Sequence, residues 1–190
     1  MTMFRLGRLA VVLAALCVPS IAAAQAGSQQ MPPMPKAGPE HEILKMDAGT
    51  WDATVEFSMA PGAPPMTSKG VEVNTVGCGG LCLITDFKGE AMGAPFHGHG
   101  VTTWDGAKKK YVGSWTDSMS MGLATTEGTY DAATKKMTGS MEGPDMTGAV
   151  MKMRTVSEWK EAGTRVMTSF ATGPDGKEMQ VMKITSTRRK

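Results

Sequence analysis

The segment Thr50-Trp51-Asp52-Ala53-Thr54-Val55-Glu56-Phe57-Ser58-Met59 decides the fold. Trp51, Ala53, Val55, Phe57 and Met59 fall on one side of an extended chain and Asp52, Thr54, Glu56 and Ser58 on the other, the period-two alternation of a strand with one face in a core. Downstream, turn signals recur at 60–65, 77–80, 92–95, 105–108, 119–122, 131–134, 143–148, 161–163 and 173–176, and these nine breaks delimit ten short strands. No helical period lies between them. This excludes βαβ crossovers and predicts an all-β, antiparallel, up-and-down meander. A meander of about ten strands has two open edges, and closing it into a single β-barrel removes both.

Upstream, Gly38-Pro39-Glu40-His41-Glu42 reads as a helix start, with proline in the first turn and acids at the positive end of the dipole, and Ala48-Gly49 ends it. The helix has two or three turns. Residues 27–38 carry three prolines and no apolar period, which predicts a disordered leader, so the barrel domain spans 39–190. Residues 1–26 read as an address. Arg5 and Arg8 form a basic start, Leu9 to Val18 an apolar run, and Ala24-Gln25-Ala26 a small-x-small cleavage site, which predicts a Sec-type signal peptide and a secreted or periplasmic protein. The run is shorter than the roughly 20 residues that cross a bilayer, so no integral membrane segment is expected after cleavage.

The 190 residues carry 20 Lys plus Arg against 18 Asp plus Glu, and the formal charge of +2 belongs to Arg5 and Arg8. The mature chain is neutral. With no basic stripe except Arg188-Arg189-Lys190, no nucleic-acid partner is expected. There is no Gly-x-Ser-x-Gly, phosphate loop or framed carboxylate pair, so no catalytic residue is assigned and the protein is not expected to be an enzyme.

Three clusters carry chemistry-bearing side chains. In Pro95-Phe96-His97-Gly98-His99-Gly100, His97 and His99 stand at i and i+2 on one strand face, a spacing that suits two ligands of a transition metal, with His41, Asp86 or Glu90 as candidates to complete the set. The other reading is two structural or surface histidines beside glycines that permit close packing. Cys78 and Cys82 in Cys78-Gly79-Gly80-Leu81-Cys82 lie out of disulfide reach along a continuous strand; a three-residue hairpin sets them opposite each other. A disulfide and two free thiols both remain open. Eighteen methionines accompany only 6% aromatics, with paired spacings at Met31/Met34, Met119/Met121, Met151/Met153 and Met179/Met182. Thioethers fill irregular interiors and also ligate soft metals such as Cu(I).

An internal repeat joins Trp104-Asp105-Gly106-Ala107-Lys108-Lys109-Lys110 to Tyr130-Asp131-Ala132-Ala133-Thr134-Lys135-Lys136, two hairpins whose opening aspartate bonds its own backbone. Several short motifs occur in a specific order: Gly38-Pro39-Glu40-His41, Ala48-Gly49-Thr50-Trp51-Asp52, Pro61-Gly62-Ala63-Pro64-Pro65-Met66, Gly98-His99-Gly100, Asp117-Ser118-Met119-Ser120, Glu127-Gly128-Thr129-Tyr130-Asp131 and Gly173-Pro174-Asp175-Gly176-Lys177-Glu178. On these the chain resembles the bacterial domain-of-unknown-function 1579 family (DUF1579) over about 38–189, which is similar to the calycin and lipocalin barrels. The resemblance implies no activity. Gly49-Thr50-Trp51 after a short helix resembles the lipocalin signature, which implies a helix closing one barrel end and Trp51 packed beneath Arg188 of the last strand. It also implies an interior that binds a small apolar molecule, with Trp51, Val55, Phe57, Trp115, Met153, Met182 and Ile184 as pocket residues. No cofactor is expected on that reading. The alternatives are a metal module on His97 and His99 and a solid-cored envelope interaction protein without a ligand.

Overall fold

The computed structural model describes residues 33–60, 63–173 and 175–190. The signal peptide expected at 1–26 and most of the leader at 27–38 lie outside the described residues, as do Pro61, Gly62 and Pro174 of the quoted turns. A seven-residue helix, α1 (His41–Asp47), leads into β1 (Gly49–Phe57). The other strands are β2 (Met66–Gly77), β3 (Cys82–Ala91), β4 (Ala94–Asp105), β5 (Lys110–Asp117), β6 (Ala124–Asp131), β7 (Lys136–Pro144), β8 (Val150–Lys160), β9 (Thr164–Thr172) and β10 (Glu178–Arg188). Each pairs antiparallel with its sequence neighbours, and β1 pairs with β10, so the ten described strands close into a barrel in up-and-down order. The fold is the one expected from the turn spacing. Closure leaves no open sheet edge among the described strands.

The hairpins follow from their residues. Asp105 Oδ1 accepts from the amides of Ala107 and Lys108 at 3.0 Å, and Asp131 Oδ1 accepts from Ala133 at 2.9 Å. Lys109 and Lys135, four residues after each aspartate, take the same left-handed φ of 53° and 54°. The repeat is therefore one turn used twice.

Register places side chains. Trp51 opposes Arg188 and Glu72, Ala53 opposes Ser186, and Phe57 opposes Met182, so odd positions of β1 face the interior with even positions of β2 and β10. The alternation expected for β1 holds from Trp51 to Phe57. Met59 departs from it: the strand has ended and the side chain is 65% exposed. On β2 the hydropathy is inverted. Glu72 and Asn74 face inward and are buried, while Val73 lies on the outside at 40% exposure. β10 carries a register shift between Gln180 and Met182, after which Met182, Ile184, Ser186 and Arg188 share the inner face.

Candidate functional site

The interior is most deeply buried at the end beside α1, its floor, and less so toward the other end. The floor begins with α1, whose carbonyls near its C-terminus need donors from outside the helix. Arg188 supplies its two terminal nitrogens to the carbonyls of Met46 and Ala48, Trp51 Nε1 donates to Asp47 O at 2.9 Å, and Asn74 Nδ2 donates to the same oxygen at 3.1 Å. A cation at the negative end of the helix is also favoured by the dipole. At the other end of α1, Tyr111 Oη donates to Glu40 O at 2.8 Å and Gly38 N donates to His41 Nδ1 at 3.0 Å. Burial, with Glu40 and Tyr130 nearby, pushes the Tyr111 phenol up to about 12. It stays a donor at any physiological pH.

Trp51 is 1% exposed, with the guanidinium carbon of Arg188 at 4.2 Å and that of Arg165 at 5.3 Å from its ring centroid. Gly49 makes this approach geometrically open: its φ is 129°, and a β-carbon there would sit 2.6 Å from Arg188 Nη1. The Gly-x-Trp pattern thus has a local cause, a guanidinium packed where any other residue would place a side chain.

Beside Trp51 lies an ionic cluster absent from the expectations above. Arg165 Nη2 donates to Glu72 Oε1 at 2.8 Å and Oε2 at 2.6 Å, and its Nη1 bonds Asp47. Trp159 Nε1 donates to Asp47 Oδ1 at 3.2 Å, Asn74 Nδ2 to Glu72, and Thr85 Oγ1 to Asn74 Oδ1 at 2.7 Å. Two carboxylates share one guanidinium. Burial raises the Asp47 carboxyl above its ordinary range; Arg165 opposes the rise and the second carboxylate adds to it. Buried ion pairs of this kind add little net stability yet are costly to break, because each survivor is left charged in a poor solvent. Every charged member has a partner, so the cluster reads as a structural floor rather than a reactive centre.

Above the floor, several inward side chains are only half-buried. Val55, Phe57, Trp115, Met153, Met182 and Ile184 all face the interior, and each keeps measurable solvent contact, in contrast to Trp51, Ala53, Ser186 and Asn74 below them. Of the seven residues, Trp51 belongs to the floor and the other six face the interior above it. Trp115 lies over β4: a β-carbon at Gly98 would fall within its ring and one at Gly100 would meet Cε3 at 3.0 Å. The glycines of Pro95-Phe96-His97-Gly98-His99-Gly100 thus serve the inner face. Asp117 accepts from Trp115 Nε1 at 2.9 Å and from the amides of Met119 and Ser120 at 2.8 Å, fixing the indole and the loop beyond it.

His97 and His99 point outward. Both are exposed, and His99 Nδ1 lies 2.6 Å from Asp86 Oδ1 on the neighbouring strand. His41 is at the floor, its Nδ1 engaged by Gly38, so it does not join them. Among the described residues no group of three or more His, Cys, Asp or Glu side chains has metal-binding geometry. Cys78 and Cys82 form a disulfide with Cα atoms 5.4 Å apart, closing a short turn that connects β2 to β3. Of the methionine pairs, Met151/Met153 face the interior, whereas Met121 is in an exposed loop and Met31 lies outside the described residues.

A closed, ten-strand, antiparallel up-and-down barrel with a helix across one end is the class that this architecture defines. The chain belongs to the family described as "Protein of unknown function (DUF1579)", whose model matches residues 36–188. No curated protein matches it. It is similar in fold to the crystal structure of Rv2717c from M. tuberculosis, with a TM-score of 0.59 at 11% sequence identity over 82% of this chain and 100% of that one.

Proposed function

We propose that the protein is a non-catalytic, exported binding barrel that takes a small, mainly apolar molecule into the end away from α1. The observation that carries this reading is the contrast in burial between inward side chains: complete around Trp51 and Ser186, partial at Val55, Phe57, Trp115, Met153, Met182 and Ile184. Apolar surface that faces inward and still touches water gains about 25 cal/mol per Å² when a ligand displaces that water. The buried floor keeps the opposite end from leaking solvent into the site, and the flexible thioethers adapt to the shape of a guest. Export is supported by the Arg5/Arg8, Leu9–Val18 and Ala24-Gln25-Ala26 pattern. The test is native mass spectrometry of protein purified from its own host. A co-purified organic mass, lost on unfolding, is the expected result; a bare polypeptide that also takes up no apolar fluorescent probe would refute the reading.

A further inference from the structure

The upper interior is two-sided. Phe87, Phe96 and Trp115 come from β3, β4 and β5, whereas Met153, Met167 and Met182 come from β8, β9 and β10, and all six face inward. In the strand order around the barrel each of the first three strands stands five places from one of the second three, so the two sets face each other across the axis. One wall is aromatic and rigid. Phe87 and Phe96 meet edge to face at 5.8 Å, and Trp115 is held over Gly98 and Gly100 with its N–H bonded to Asp117. The other wall is thioether and adaptable. Aromatic faces opposite polarisable sulfur suit a flat ring system, which gains offset stacking on one side and sulfur–aromatic contact on the other. A saturated chain gains only its buried area.

A second observation gives the guest a polar group. Ser169 on β9 faces inward between its cross-strand neighbours Met182 and Thr155, is 1% exposed, and its Oγ has no hydrogen-bond partner among the described residues. A buried hydroxyl left unpaired is disfavoured by roughly 1–3 kcal/mol, and it is rare in folded proteins. Met182 has three rotatable bonds and can swing aside to admit a partner.

We propose that the ligand is a planar aromatic molecule carrying one hydrogen-bonding group, its ring lying between Trp115 and the methionines and its polar group on Ser169 Oγ. This rests on the reading of the interior as a binding site. The test is calorimetric titration of the purified protein with 2-naphthol and 1-decanol, which match in carbon count and in their single hydroxyl. Wild type is compared with Ser169→Ala and Phe96→Leu. Naphthol is expected to bind more tightly than decanol, Ser169→Ala to weaken naphthol about fivefold with an unchanged or raised melting temperature, and Phe96→Leu to shrink the preference. If decanol binds as well as naphthol, or Ser169→Ala binds naphthol as wild type does, the planar-ligand assignment is overturned while the binding barrel stands. If neither probe binds, both are overturned.

Discussion

Arg188 on the last strand sits with its guanidinium carbon 4.2 Å from the ring centroid of Trp51 on the first, directly across the seam where the barrel closes. The same guanidinium bonds two carbonyls at the end of α1. One side chain therefore ties the helix, the first strand and the last.

Trp51→Ala is expected to cost about 3–5 kcal/mol, since it removes a fully buried indole and the surface on which both arginines rest. Arg188→Lys is expected to fall between wild type and Trp51→Ala, because an ammonium cannot span two carbonyls and stack at once. Urea denaturation measures both; a midpoint for Trp51→Ala equal to wild type would remove the seam role.

Arg165→Met is expected to cost about 3–5 kcal/mol by leaving Asp47 and Glu72 buried without their shared cation. Adding Asp47→Leu and Glu72→Leu should recover much of that loss, because the floor then desolvates neither carboxylate. A triple variant less stable than the single one would contradict this account.

Asp47 gives the protein a pH-dependent term. Its carboxyl is held above the ordinary 3.8, so the folded state binds the proton more tightly than the unfolded chain. Its contribution to stability is thus fully present below about pH 3.8 and is lost as pH rises through the folded value. The stability of wild type relative to Asp47→Asn should decline with rising pH across that window; a difference that stays flat would argue against the buried assignment.

For Cys78 and Cys82, alkylation of unfolded protein produced from residue 27 onward, and so without Cys17, should add no label before reduction and two afterwards, read by intact mass. A double Cys→Ser variant should lose about 2 kcal/mol, the loop-closure value for so short a loop. Labelling without reductant would establish free thiols instead.

Gly98→Ala is expected to displace Trp115, because the new methyl group would occupy the space of its ring. The cost should be about 1–3 kcal/mol, with a red-shifted tryptophan emission. An unchanged spectrum would mean that the indole does not rest on Gly98.

Much of the architecture was legible in the sequence, because turns and alternation are local. Asp105 and Asp131 announce their hairpins, and the strand from Trp51 to Phe57 announces its inner face. The floor was less so. In Val71-Glu72-Val73-Asn74 the eye turns the valines inward, yet pairing with β1 sets Glu72 opposite Trp51. Only the register settles the face, and register is a property of two strands. Arg165, Asp47 and Glu72 are far apart in the chain and have no motif in common. The His97/His99 spacing correctly put both on one face, but spacing alone does not say which face is outside.

The inverted β2 has a consequence for how the chain finds its fold. By hydropathy alone, a strand slipped by one residue would be attractive, since it would turn Val71 and Val73 into the barrel. Such a slip would also carry Glu72 and Asn74 to the outside and leave Arg165 with only Asp47 of its two carboxylates. The second carboxylate is lost from the floor in any one-residue slip. The ionic floor therefore acts as a proofreading device for strand register, penalising an alignment that greasy side chains alone would accept.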